Sequence, residues 1–215
     1  MKLLAVSDAV SPALTDPLAR EAFSGVEAVI SAGDLPPEYL ASIAVALGVP
    51  LFYVCGNHDI RYKDTTPTGC TNIHLRLVSF GGLNILGIEG SRWYNGGPYQ
   101  YTEAEMAWRL LTLMPAIWWA RGVDIVVTHA PPRFIHDAED PCHKGFRSFL
   151  RLIKRYRPAY FLHGHIHRYF ESHEARVTQF NGTEVINCYG YTLIDIPPET
   201  VDAKTGRRRK RYLRG

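Results

Sequence analysis

The chain has 215 residues, 46% of them apolar and 21% charged, a balance that suits an ordinary globular domain and excludes a fibre or a wholly disordered chain. Its net charge of +3 is unevenly placed: residues 204–215 hold seven Lys and Arg and no acid, so the remainder is mildly acidic. No uncharged stretch approaches the roughly 20 residues of a membrane span, and the apolar run after Lys2 ends at Ser7-Asp8, too soon for an export signal. A cytoplasmic location is expected, with Cys55, Cys70, Cys142 and Cys188 reduced and none of them a metal ligand.

The first apolar run, residues 2–8, reads as a buried strand. A helix is expected next, with Asp16 as its cap, Pro17 at its first position and Gly25 past its end. Residues 27–34 form a second strand, 36–48 a helix closed by glycine, and 51–57 a third strand. Strand–helix–strand–helix–strand implies parallel pairing with right-handed crossovers. Residues 73–79 and 83–90 alternate around Gly81-Gly82 as a hairpin. After the aromatic, glycine-rich segment 91–101, Thr102 and Glu105 make a capping box for a helix to about residue 120, which Pro115 should kink or end. Trp108, Trp118 and Trp119 lie on that helix and are expected in the core or at an interface. A strand at 124–130, a helix at 144–157 and a strand at 159–165 follow, then a hairpin of 175–180 and 183–196 about Asn181-Gly182. A single domain over residues 1–200 is expected, with 201–215 a flexible basic tail.

The polar residues of interest stand where apolar strands end: Asp8, Gly33-Asp34, Gly56-Asn57-His58-Asp59, Thr128-His129 and His163-Gly164-His165-Ile166-His167. In open α/β sheets ligands bind beyond the carboxyl ends of the strands. Five such ends would gather carboxylate, amide and imidazole groups on one edge, a donor set suited to Mn, Fe or Zn. His163 alternates away from His165 and reads as packing or support, and His74, His136 and His173 carry no signal of their own.

In this order the blocks Asp8, Gly33-Asp34, Gly56-Asn57-His58-Asp59, His129 and Gly164-His165-Ile166-His167 resemble the signature of calcineurin-like metallophosphoesterases. The resemblance implies a four-layer α/β/β/α sandwich, two mixed sheets flanked by helices. It implies one or two divalent transition metals, with Asp34 bridging, Asn57, His129 and His165 completing one site, and Asp8 and His167 in the other. It further implies in-line attack on phosphorus by a metal-activated hydroxide, with His58 binding the phosphate and protonating the leaving oxygen, and with Asp59 orienting the His58 ring. Asn57 and His143 would also line the substrate phosphate.

Two departures refine the expectation. The family's D-x-H block reads Asp8-Ala9-Val10 here, so the first metal site is weakened unless His136, Asp137 or His143 substitutes. No arginine follows Gly33-Asp34, where protein Ser/Thr phosphatases of the superfamily carry one, and small relatives without it often act on diesters. The expected activity is therefore hydrolysis of a small phosphodiester, cyclic nucleotides being the first candidate on resemblance alone. Two alternatives stand beside it: a degenerate metal-binding scaffold for protein interaction, and a nuclease using the basic run 207–211. No membrane partner is expected, nucleic acid is disfavoured, and a homo-oligomer is left open. Trp93, Tyr94, Tyr99 and Tyr101 could offer a nucleobase a stacking surface, although packing is the commoner fate of such rings.

Overall fold

The computed structural model describes residues 1–16 and 18–197, and beyond them the backbone of 201–202 and 207–208. The expected tail therefore falls largely outside the described residues. The first sheet joins β1 (Lys2–Ser7), β2 (Val26–Ser31), β3 (Leu51–Tyr53) and β4 (Cys70–Asn72) in parallel, with β13 (Gly190–Asp195) antiparallel on the outer side of β1. The second sheet runs, in spatial order, Val177–Phe180 (β11), Thr183–Asn187 (β12), Tyr160–His163 (β10), Ile125–Thr128 (β9), Leu83–Ile88 (β6) and Arg76–Phe80 (β5), while β7 (Ser91–Arg92) and β8 (Gln100–Tyr101) pair apart from both sheets. In it, β6, β9, β10 and β12 are parallel. The antiparallel edges are β5 and β11.

Alternation along the strands explains the layering. Leu3 and Ala5 of β1 face Ile125, Val127 and Leu162 of the other sheet, while Leu4 and Val6 turn to the helices α1 (Ala19–Ala22) and α2 (Pro37–Leu47). Val126 and Phe161 turn likewise to α3 (Glu103–Trp119) and α4 (Arg147–Tyr156). Both faces of each central strand are buried, so the runs are continuously apolar. The four-layer sandwich with two mixed sheets is thus the observed architecture.

Local chemistry sets most boundaries. The expected capping box is present on α3: Thr102 Oγ1 accepts from Glu105 N at 3.2 Å, and the Glu105 carboxylate accepts from Thr102 N at 2.7 Å. Both hairpin turns use left-handed pairs, Gly81-Gly82 at φ 54° and 79° and Asn181-Gly182 at 53° and 81°.

Several elements differ from their sequence expectation. The first helix shrinks to α1, where Ala19 is the one fully buried side chain. α3 continues through Pro115 to Trp119; the carbonyl that loses its partner belongs to exposed Leu111, where water can replace the bond. α4 starts at Arg147 instead of 144, because the carboxylate of Glu103, on α3, accepts from the backbone N–H groups of Arg147 and Ser148 at 3.0 and 2.7 Å. The expected strand 183–196 divides at residues 188–189: β12 belongs to one sheet and β13 crosses to the other, with Gly190 at φ 72°. Trp108, Trp118 and Trp119 lie on the outer face of α3, exposed instead of in the core.

Candidate metal centre

All five strand ends converge at one edge, and their polar residues occupy the short connections just past the strands. Three of them have left-handed backbones, Asp8 at φ 63°, Asp34 at 57° and His165 at 67°. Such geometry costs a non-glycine residue on the order of 1–2 kcal/mol and is concentrated at functional sites. Neighbouring glycines make the crowding feasible. A Cβ on Gly56 would stand 2.1 Å from Asp34 Oδ1 and 2.7 Å from His129 Cε1, and one on Gly164 would stand 2.4 Å from Asp8 Oδ2.

Four side chains meet at a point. His129 Nε2 lies 3.1 Å from Asp34 Oδ2, 3.1 Å from Asn57 Oδ1 and 3.1 Å from His165 Nδ1. The opposite ring nitrogens fix the tautomers, since a carbonyl can only accept. His129 Nδ1 donates to Ala32 O at 2.8 Å, and His165 Nε2 donates to Cys142 O at 2.8 Å. In the neutral rings, His129 Nε2 and His165 Nδ1 therefore present lone pairs to the two oxygens and to each other. Asp34 Oδ2 is fully buried and has no hydrogen-bond donor. A single proton on His129 Nε2 can satisfy only one of these neighbours, whereas a metal cation among them would accept all four lone pairs.

The titration behaviour agrees. Burial alone would lower the His129 pKa, but the Asp34 carboxylate overrides it and lifts the ring to about 9. Burial would raise Asp34, yet His129 brings it down to about 2. His165 is pushed down to about 4 by burial and by the charge on His129. A divalent ion fits this donor set as well as a proton does, and Asp34, His129 and His165 form a candidate metal-binding group.

Asp8 and His167 stand on the flank. Asp8 accepts from His165 N at 3.0 Å, and His167 Nε2 lies 3.3 Å from Asp8 Oδ1 on an exposed ring. Val10 is 55% exposed and offers no ligand. Of the residues weighed as its replacement, Asp137 is committed to Arg133 at 2.6 Å and to Gly145 N, and His136 to His163 and Thr178, each at 2.8 Å. His143 stands beside the Asp34 cluster, its ring centroid 5.3 Å from that of His165 and its Nδ1 3.0 Å from Asp140.

His58 presents an exposed side chain at the mouth while its backbone N–H donates to Asp34 Oδ1 at 2.8 Å. Asp59 is bonded to backbone and not to the His58 ring: its Oδ2 accepts from Asp34 N and Gly56 N, each at 2.8 Å. Burial and the Asp34 charge raise Asp59 to about 7. Two roles escaped the sequence reading, which took Tyr94 only as a stacking or packing ring. Tyr94 OH accepts from Asn57 Nδ2 at 3.2 Å and so turns Oδ1 toward the cluster. The Cys142 carbonyl, whose residue was considered only as a thiol, orients His165. Of the other aromatic residues in 91–101, Tyr101 donates to Glu89 at 2.7 Å, and Trp93 is exposed.

A four-layer sandwich with Asp, Asn and His gathered at the carboxyl ends of its strands defines a metallophosphoesterase scaffold. The family model of calcineurin-like phosphoesterases matches residues 3–169, and the chain belongs to that family. One solved structure superposes with a TM-score of 0.65 at 16% identity, over 90% of this chain and 94% of its own. GAP50 of Plasmodium, described as the anchor in the inner membrane complex, does so at 0.54 and 14% identity, over 88% and 71%. A Vps29 mutant from Entamoeba histolytica reaches 0.46 at 12% identity, over 93% and 88%. No curated protein matches the chain.

Proposed function

We propose that the protein hydrolyses phosphodiesters at the centre formed by Asp34, Asn57, His129 and His165, with Asp8 and His167 as a weaker flanking pair. The observation that carries this reading is the meeting of Asp34 Oδ2, Asn57 Oδ1 and His165 Nδ1 at 3.1 Å each from His129 Nε2, where a proton on that nitrogen can serve only one of the three. A divalent cation held there supplies Lewis-acid polarisation of a phosphoryl oxygen and a water acidified toward neutral pH.

The chain's own groups do the rest. Asp59 anchors the Asp34 backbone N–H, the His58 N–H holds the Asp34 carboxylate, and Tyr94 aims the Asn57 amide. His58 is exposed at the mouth and free to meet an incoming phosphate, to which it delivers a proton at the departing ester oxygen. His143 borders the same opening and contacts a phosphoryl oxygen. The absence of an arginine after Asp34 supports diesters over phosphoproteins, a single negative charge needing less compensation than two.

The test compares His58→Ala with the parent on diesters of graded leaving-group pKa, alongside the matching monoesters. Loss should be greatest, about 10²–10⁴-fold, for the most basic leaving group and shrink toward p-nitrophenolate. Equal loss across the series would remove His58 from the proton-donor role. Faster turnover of monoesters would reverse the substrate class. Tight Mn²⁺ binding without turnover of any ester would favour the scaffold reading.

A further inference from the structure

α3 presents to solvent a face that ought to be covered. Trp108, Leu111, Pro115 and Trp118 recur at intervals of three and four, one side of a helix, and Trp119 adjoins them. The three indoles are 67%, 79% and 83% exposed. At the C-terminal end of the helix a cleft of about 410 Å³ opens between Trp118, Arg121, Arg155 and Tyr156. A patch of this kind on a folded domain marks a binding surface.

Charge indicates what binds. No acidic residue occurs from 106 to 123 or from 141 to 158, whereas Arg121 and, on neighbouring α4, Arg147, Arg151, Lys154 and Arg155 are exposed. We propose that this face rests reversibly on an anionic phospholipid bilayer. Indole rings favour the headgroup boundary, where an apolar body and an N–H are both accommodated, and flanking basic side chains draw acidic headgroups. Trp118 and Trp119 diverge by about 100° around the helix, so both reach a plane but neither follows the other into one groove. A two-fold pairing of the face with its own copy would set Arg121 and Arg155 against like charges.

Among the described residues no helix is long and apolar enough to cross a membrane, and lying on a surface requires none. The C-terminal end of α3 sits at the strand starts, where Asn84 Nδ2 donates to Ala120 O and Gly122 O at 3.1 Å each. The candidate metal centre lies at the other end of the same strands, so docking leaves it open to solution. The inference is independent of the catalytic reading.

The full chain is sedimented with vesicles of phosphatidylcholine alone and with vesicles containing about 30% phosphatidylserine. Binding is expected to the acidic vesicles, to weaken with salt, and to drop at least about tenfold in Trp118→Ser/Trp119→Ser with an unchanged melting temperature, both rings being exposed. Bromine-labelled lipid should quench the indole fluorescence, and deleting residues 204–215 should leave the tryptophan dependence in place. Equal binding by the double variant, binding lost on tail deletion with no quenching, or no vesicle binding would each overturn the proposal. So would a concentration-dependent dimer that the double variant dissolves, which would make a second copy the occupant.

Discussion

Gly56→Ala places one methyl group in the metal centre. Its carbon would lie 2.1 Å from Asp34 Oδ1, 2.5 Å from Asp34 Cγ and 2.7 Å from His129 Cε1. Ordinary contact begins near 3.4 Å, so the carboxylate must retreat by more than about 1 Å, beyond hydrogen-bond reach of the His58 N–H that now holds it at 2.8 Å. Losing that charge-assisted bond costs about 1.5–3 kcal/mol. Displacing Asp34 and His129 together should weaken metal binding by about 100-fold, or ~2.7 kcal/mol. The assay is calorimetric titration of chelator-stripped protein with Mn²⁺. Gly87→Ala is the control, because the nearest atoms its Cβ would meet, from 2.5 Å, all belong to Ile73 and none to the cluster. The account requires the control to melt earlier yet bind Mn²⁺ as the parent does. Parent-like affinity in Gly56→Ala would refute the placement of Asp34 and His129 around one ion.

Tyr94→Phe removes the oxygen that steadies Asn57 and should lower Mn²⁺ affinity by about tenfold with no change in melting; an unchanged affinity would leave Tyr94 a packing residue. Val10→His restores an imidazole two residues after Asp8, and the Mn²⁺ bound per chain at a fixed free concentration should rise; a constant stoichiometry would show that more than this ligand is missing. His74 is pushed to about 4, by burial and then by Arg109, so the folded ring stays neutral while the unfolded one protonates near 6.5. A group depressed in this way supports folding above pH 6.5 and loses that support as pH falls toward 4. The stability advantage over His74→Asn, read from urea midpoints, should therefore shrink by about 2 kcal/mol between pH 7 and 5, and a constant difference would contradict the burial argument.

The ligand-bearing edge was legible because each apolar run stops at a polar residue, and the continuous apolar runs of β1, β9 and β10 already marked buried strands. The capping box at Thr102 and the Asn181-Gly182 turn were equally plain, since each is decided within four residues. What failed depends on tertiary context. Nothing local says that residues 188–189 leave one sheet for the other, and Gly190 alone reads as a weak point in a strand. Apolar rings on a helix fit a core or an interface equally well from sequence, and only the fold removes the core option for Trp108, Trp118 and Trp119. The backbone carbonyl that turns His165 has no sequence signature, because every residue carries one.

The central claim is that the Asp34, Asn57, His129 and His165 cluster is a working metal centre. The most direct measurement is hydrolysis of bis-p-nitrophenyl phosphate by chelator-stripped protein, with and without Mn²⁺, in the parent and in His129→Ala. The account predicts turnover that Mn²⁺ restores in the parent and fails to restore in the variant. Activity that survives chelation, or that returns equally in His129→Ala, would contradict it.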